Sequence, residues 1–443
     1  MIRTMYAGFV AVAMTACGWT TAAAEQQARQ PNIIHIVADD LGWKDVGFNG
    51  LEDFATPRID ALAAEGAVLS QFYVQPMCTP TRAALMTGRY PYRYGLQTAV
   101  IPSVSDYGLD LEEYLMPQTL KDAGYRTAII GKWHLGHADR KYWPRQRGFD
   151  YQYGALIGEL DYFTHEEHGK IDWFRDNEQV KEEGYSTTLI GDDAVRYIEQ
   201  QDGSAPFYLY LTFNAPHTPY QAPQEYIDQH ADIADPTRRV YAAMIHSLDD
   251  NIGRVVDALE KKGLRDNTLI VFHSDNGGTH NPMFAGVMAD VSKIKIPCDN
   301  GPYRDGKGSL FEGGTKVCAF ANWPGRIPSG RVDALMHAVD LFPTFAHVAG
   351  ATTEKSKPLD GLNVWESIAG NAPSPRQDVI YNIEPFRAAI REGDWKLIWR
   401  TMLPSTVDLY NLAEDPFEAN NLADQHPERV AAMKQRINEL TLE

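Results

Sequence analysis

The sequence predicts an α/β fold: a large mixed, mostly parallel sheet flanked by helices, with a smaller C-terminal antiparallel sheet plus helix. Three observations carry that expectation. Apolar runs of strand length recur without polar alternation, as strands buried on both faces require. Amphipathic helical segments separate these runs, and from about Pro373 the texture changes to short, closely spaced strands. At 443 residues, 44% hydrophobic and 11% aromatic, the chain has ample material for a large core. Its formal net charge of -18 argues against nucleic acid as a partner, yet leaves room for a locally basic pocket.

Residues 1–24 read as an export signal: Arg3 is the positive end, residues 5–16 the apolar run, and Ala22-Ala23-Ala24 the small-residue cleavage site. This implies a periplasmic or secreted protein; lipid anchoring through Cys17, in an imperfect lipoprotein-like Met14-Thr15-Ala16-Cys17, is the lesser alternative. No later segment has the roughly 20 apolar residues of a membrane span. A main domain is expected over residues 25–372 and a C-terminal α+β subdomain over 373–443.

Asn32-Ile33-Ile34-His35-Ile36-Val37-Ala38 is the first buried strand, and it exits into Asp39-Asp40. Helical spacing follows over 58–66. Next comes Cys78-Thr79-Pro80-Thr81-Arg82, where Thr79 is the expected N-cap, Pro80 the first helical residue, and Gly88 the left-handed stop. That would leave Cys78 just outside a helix N-terminus that favours anions. A helix over 117–123 precedes the strand Thr127-Ala128-Ile129-Ile130, which exits into Gly131-Lys132-Trp133-His134. A helix over 188–200 precedes the strand 207–213, which exits into Asn214-Ala215-Pro216-His217. The long amphipathic segment 237–262 precedes the strand 268–272, which exits into His273-Ser274-Asp275-Asn276. Ligands of open α/β sheets bind at that edge.

Residues 281–314 read as an active-site loop. Strands are expected over 316–321, 379–381, 388–390 and 395–399, and helices over 340–348 and 427–442. The Glu392-Gly393-Asp394 turn makes a hairpin. Cys298 and Cys318 are read as buried thiols, with a disulfide as the alternative.

Asp39, Asp40, Asp275 and Asn276 are oxygen donors at strand ends, a set that suits calcium, or less naturally magnesium, better than zinc. Arg82, Lys132, His134, His217 and Lys307 supply the cations and proton carriers that an oxyanion needs. His35 reads as a core histidine; His273 and His280 are undecided.

These motifs together resemble those of type I sulfatases of the alkaline-phosphatase-like superfamily. Cys78-Thr79-Pro80-Thr81-Arg82, continued by Leu85-Met86-Thr87-Gly88-Arg89, matches the family's C-x-P-x-R signature, and Gly131-Lys132-Trp133-His134-Leu135-Gly136 matches its second signature. Ala38-Asp39-Asp40, Ala215-Pro216-His217, Ser274-Asp275-Asn276-Gly277-Gly278, Gly306-Lys307-Gly308 and Glu312-Gly313-Gly314 follow in order, and the resemblance covers residues 31–422. Gly47-Phe48, Gln75-Pro76-Met77, Tyr94-Gly95-Leu96-Gln97 and Arg147-Gly148-Phe149-Asp150 look most like the arylsulfatase B group, which acts on N-acetylgalactosamine 4-sulfate.

The resemblance implies a sulfuric ester hydrolase whose Cys78 is converted to formylglycine by a maturation enzyme. It implies one calcium ion held by Asp39, Asp40, Asp275, Asn276 and residue 78. His217 and Lys307 would assist the leaving oxygen, His134 would take a proton during sulfate release, and Arg82 and Lys132 would stabilise the diol and sulfate. A sulfated carbohydrate is the expected substrate, with Trp143, Tyr162, Phe163 and Trp173 as either sugar-contacting or packing residues. A phosphodiesterase or phosphonate monoester hydrolase, and a glycan-binding pseudo-sulfatase, are the alternatives. One departure is Lys316, two places after Glu-Gly-Gly, where the family often has arginine and its bidentate fork.

Overall fold

The computed structural model describes residues 30–281 and 295–442. The expected export signal, Cys17 and part of the 281–314 loop lie outside the described residues. The chain from Pro31 onward forms one compact unit.

A mixed sheet of ten strands is its centre, and the four strands that carry the motifs are neighbours in it. Asn32–Ala38 runs parallel to both Phe207–Thr212 and Thr268–Ser274, placing His35 opposite Tyr210 on one side and Val271 on the other. Arg126–Gly131 continues the parallel set beyond Phe207–Thr212. Ala319–Asn322 pairs antiparallel with Thr268–Ser274 and begins three residues later than its apolar run suggests.

Successive side chains of a strand point to opposite faces, and the first strand divides its residues accordingly. Ile33 and Val37 join one core, with Ala83, Leu85 and Met86 of the helix Cys78–Thr87 and Phe342 and Phe345 of Leu341–Ala349. Ile34 and Ile36 join the other, with Ile190 and Ile198 of Ser186–Glu199 and Ile245, Leu248 and Ile252 of Pro236–Lys261. Burial of both faces explains why this strand carries no polar alternation.

The C-terminal sheet has four antiparallel strands in chain order, Asp378–Ile383, Arg387–Glu392, Trp395–Arg400 and Thr406–Asn411. It too is covered on both sides. Ile390, Leu397 and Leu409 pack with Met433 and Ile437 of the helix Pro427–Leu442 and with Ala84 of Cys78–Thr87. Tyr381, Ala389 and Ile398 pack with Leu310 and Phe311, just beyond Lys307. The small sheet therefore buttresses both the Cys78 helix and the Lys307 loop.

One expectation changes, and two readings left with alternatives resolve. The helix Cys78–Thr87 is capped by Met77, not Thr79, and Cys78 is its first residue. The Thr79 hydroxyl instead donates to the His134 carbonyl at 3.0 Å and accepts from Ile101 N at 3.1 Å, so tertiary partners outcompete local capping. Cys298 and Cys318 are both free, Cys318 buried and Cys298 half-buried. Trp173 and Tyr162 are core residues, Trp143 packs on the core, and Phe163 is largely exposed.

Candidate active site

Most of the functional side chains stand at the ends of rigid elements, while Lys307 comes from the loop before Glu312–Thr315. Asp39 and Asp40 follow Asn32–Ala38, Lys132 follows Arg126–Gly131, and Asp275 and Asn276 follow Thr268–Ser274. Gly131 is required at its exit: at φ 115° a Cβ there would lie 1.7 Å from the Thr212 carbonyl oxygen. Gly88, at φ 65°, stops the Cys78–Thr87 helix with its N–H on Ala84 O.

Arg82, fully buried one turn into that helix, ties the strand ends together. It donates through Nε and Nη2 to Asp275 Oδ2 (3.1 and 2.8 Å) and through Nη1 to Lys132 O (2.9 Å). Lys132 Nζ donates to Asp39 Oδ2 at 2.5 Å. Lys307 Nζ donates to Asp40 Oδ2 at 2.7 Å, and Thr279 Oγ1 to the same oxygen at 3.1 Å. Cys78 Sγ sits between the carboxylates, 3.4 Å from Asp39 Oδ1 and 3.9 Å from Asp40 Oδ1.

Burial sets the charges. It pushes the Cys78 thiol well up, with Asp275 adding to the effect, so an unmodified cysteine is an inert thiol here. Burial also pushes Asp40 up, but the Lys307 and His217 charges and the hydrogen bonds from Lys307 and Asn276 outweigh it and hold its carboxyl well below the usual range. Asp275 goes the other way, raised by burial and by Asp39 despite Arg82.

The two histidines are set by carbonyl partners, which only accept and so fix the tautomer. His134 Nε2 lies 3.2 Å from Ile101 O and carries the proton, leaving Nδ1 a buried base without a hydrogen-bond partner. Burial, Lys132 and Arg82 keep this ring well below its ordinary pKa, hence neutral. His217 Nδ1 donates to Thr218 O at 2.6 Å, so its Nε2 accepts from Lys307 Nζ at 3.1 Å. Burial and Lys307, opposed by Asp40, lower it to about 4.

A divalent cation fits this donor set. The ligating atoms of Asp39, Asp40, Cys78 and His217 lie within 4.8 Å of one another, and the buried Asn276 Oδ1 has no hydrogen-bond partner. Since Lys307 engages His217 Nε2, the atoms left to a metal are mainly oxygens, which favours a hard cation. The raised Asp275 marks carboxylate crowding that such an ion relieves.

Cys78, His134, His217 and Lys307 line one cavity of about 260 Å³. Glu159, Glu167 and His168 also line it, and none of the three belongs to a motif. His35 is buried as expected, its Nε2 2.8 Å from His273 Nε2, which makes His273 a core partner as well. Lys316, in place of the family's arginine, points its ammonium at the Tyr303 ring, 4.5 Å from the centroid.

Strand-end acids, a cysteine and paired cations around a small cavity define an α/β enzyme built to hold an oxyanion. The particular family follows from the comparisons: residues 31–351 match the Sulfatase family, residues 305–443 match the C-terminal region of N-sulphoglucosamine sulphohydrolase, and the chain belongs to the sulfatase family of sulfuric ester hydrolases. It is 36% identical to mouse (Mus musculus) arylsulfatase J over 85% of this chain and 63% of that protein, so it spans less than two thirds of that relative's length. It is 32% identical to N-acetylgalactosamine-6-sulfatase of Canis lupus familiaris over 86% of this chain and 74% of that protein. Among solved structures, Ps i-CgsB in complex with k-i-k-neocarrahexaose aligns with a TM-score of 0.84 at 35% identity, covering 93% of each chain. These relatives establish the superfamily; the narrower arylsulfatase B resemblance rests on the short segments alone.

Proposed function

We propose that this chain hydrolyses a sulfate ester on a sulfated carbohydrate, through a formylglycine made from Cys78 and one calcium ion. The observation that carries the reading is the placement of Cys78 at one cavity with His134, His217 and Lys307, directly against Asp39 and Asp40. Saccharide as substrate is supported by the relatives, one named for an N-acetylgalactosamine sulfate and one crystallised with a neocarrahexaose.

Asp39, Asp40, Asp275, Asn276 and residue 78 would hold the calcium, which supplies Lewis-acid polarisation of a sulfate oxygen. Formylglycine, as its hydrate, would supply two hydroxyls on residue 78, one as nucleophile toward sulfur and one able to expel sulfate. The chain's own residues do the rest. Lys132 and Lys307 set positive charge beside residue 78, where the sulfate oxygens arrive. Arg82 holds Asp275 and the Lys132 carbonyl in place. His134 Nδ1, unpartnered, accepts a proton as sulfate leaves, and the Lys307–His217 pair returns one to the departing sugar oxygen. The reading includes export through residues 1–24, maturation of Cys78 by a formylglycine-generating or equivalent enzyme, and a 373–443 subdomain that supports the catalytic domain 25–372.

The test is sulfate release from a panel of sulfated sugars and 4-nitrophenyl sulfate, by protein in which a mass loss of about 18 Da confirms conversion of residue 78. Release that disappears in C78A supports the reading; no release from any probe by converted protein refutes it.

A further inference from the structure

The wall of the active-site cavity contains two carboxyls that the chemistry above does not use. Glu159 follows Gly158, whose Cα is pressed so closely on the His134 ring that a Cβ would lie 2.3 Å from Cε1. The segment is thereby pinned beside a proton carrier. Glu167 ends the short strand Glu166–Glu167, which turns through His168 and Gly169, both at positive φ, into Lys170–Ile171. Its side chain is 13% exposed, and its Oε2 has no hydrogen-bond partner. Among the described residues, no lysine or arginine forms an ion pair with either glutamate, and the His168 ring lies 4.0 Å from Glu167 Oε1. Asp172, behind them, is committed to the Leu156 and Ile157 amides.

We propose that Glu159 and Glu167 read the hydroxyls of the sugar ring beside the scissile ester, so that the preferred substrate carries free hydroxyls there rather than a second sulfate or a carboxylate. The inference rests on the sulfatase reading and narrows its substrate class. A buried carboxyl oxygen without a protein partner calls for one from the ligand, and a sugar hydroxyl, which both donates and accepts, matches it. Burial, then Asp172 and Glu159, push the Glu167 carboxyl up to about 8, so near neutrality it offers both a donor and an acceptor form. A second sulfate donates nothing and adds negative charge beside Glu159, whose field already reaches both Glu167 and His217. Ile101, Pro102 and Ile157 add apolar wall and Ser103 a hydroxyl, while the lysines whose charge reaches the cavity, Lys307 and Lys132, are already paired with Asp40 and Asp39.

The experiment compares kcat/KM of the converted enzyme on monosulfated galactose and N-acetylgalactosamine with that on the disulfated and O-methylated counterparts, 4-nitrophenyl sulfate serving as reference. The expected preference for a monosulfated sugar over its disulfated form is about tenfold or more, from like-charge rejection and an unmatched polar group. In E159Q, which removes a charge, and in E167A, which removes the carboxyl altogether, assayed separately and checked for wild-type melting, that preference should shrink about fivefold or more, chiefly through a lower KM for the disulfated sugar. Equal rates on both forms, or variants that lose both equally, overturn the proposal while aryl sulfate turnover leaves the sulfatase reading standing. Aryl sulfate turnover without any sugar preference does the same. Absence of turnover on every probe by converted protein overturns both.

Discussion

Replacing Lys396 by methionine tests how the C-terminal sheet supports the site. Lys396 is fully buried, its Nζ 2.9 Å from Glu312 Oε1 and 3.0 Å from Glu418 Oε1, the second at ion-pair distance without hydrogen-bond alignment. Glu312 belongs to the Glu-Gly-Gly turn after Lys307 and also accepts from Tyr73 (2.7 Å) and Tyr381 (2.8 Å), while Glu418 Oε2 accepts from Glu312 N (2.6 Å). Methionine preserves the stem but leaves two carboxylates facing each other without their cation. Breaking a buried pair costs about 3–5 kcal/mol. With an unfolding entropy of roughly 2.1 cal/mol/K per residue over about 400 residues, that corresponds to a fall of about 5 °C in Tm.

The pH dependence has a definite sign. Burial pushes Glu312 up, but Lys396 and its other cations bring it down to about 2, so its stabilisation is present above its unfolded value near 4.5 and is lost as pH falls toward 2. Without Lys396 both acids are raised, so the deficit of K396M should be largest at neutral pH and shrink as pH falls toward 4.5. Adding E418Q should restore part of the loss. Thermal melts at pH 5 and 8 supply the readout. A deficit below about 1 kcal/mol, or one independent of pH, would refute the ionic account in favour of packing alone.

Four shorter predictions follow from the site. R82K, which cannot reproduce the forked contact to Asp275 together with the Lys132 carbonyl, should lower kcat about tenfold or more and destabilise the fold, measured by kinetics and melting. H134A and H217A should each lower kcat by about 10² to 10⁴, as loss of a general acid or base does, with little change in Tm. G131A should fail to accumulate as folded protein, because the Thr212 backbone cannot retreat, and soluble yield reads this directly. Chelation should abolish sulfate release and lower Tm, both recovering with calcium; at a hundred times Kd the bound ion contributes about 2.7 kcal/mol.

The sequence was most legible where one physical cause dominates. Buried parallel strands must be apolar on both faces, so Asn32–Ala38 and Phe207–Thr212 stood out, and the residues just beyond them had to meet at one edge. Thr406–Asn411 escaped because an outer strand of the small sheet mixes Thr, Asp and Asn with its apolar residues. Thr79 resembled a cap until His134 and Ile101 claimed its hydroxyl. Nothing local announces that Asp40 adopts φ 63°, or that Thr279 reaches its carboxylate. Glu159 and Glu167 lie on a segment whose course depends on a short hairpin and on Gly158 packing against His134, and neither carries a periodic signal.

The cavity joins two kinds of backbone. Its reactive side begins at the ends of sheet strands locked on both flanks, whereas the glutamates come from the connection between Tyr151–Gly154 and Phe174–Arg175, near one edge of the sheet. Divergence can therefore act on the two unevenly: a duplicated copy can vary the glutamate positions and acquire another saccharide, provided that it keeps Gly158 and Tyr162, which pack on His134 and bond the His217 carbonyl. For an engineer the same partition recommends libraries at Glu159 and at 166–170, with Gly158, Tyr162 and Asp172 kept because they hold the reactive side in place.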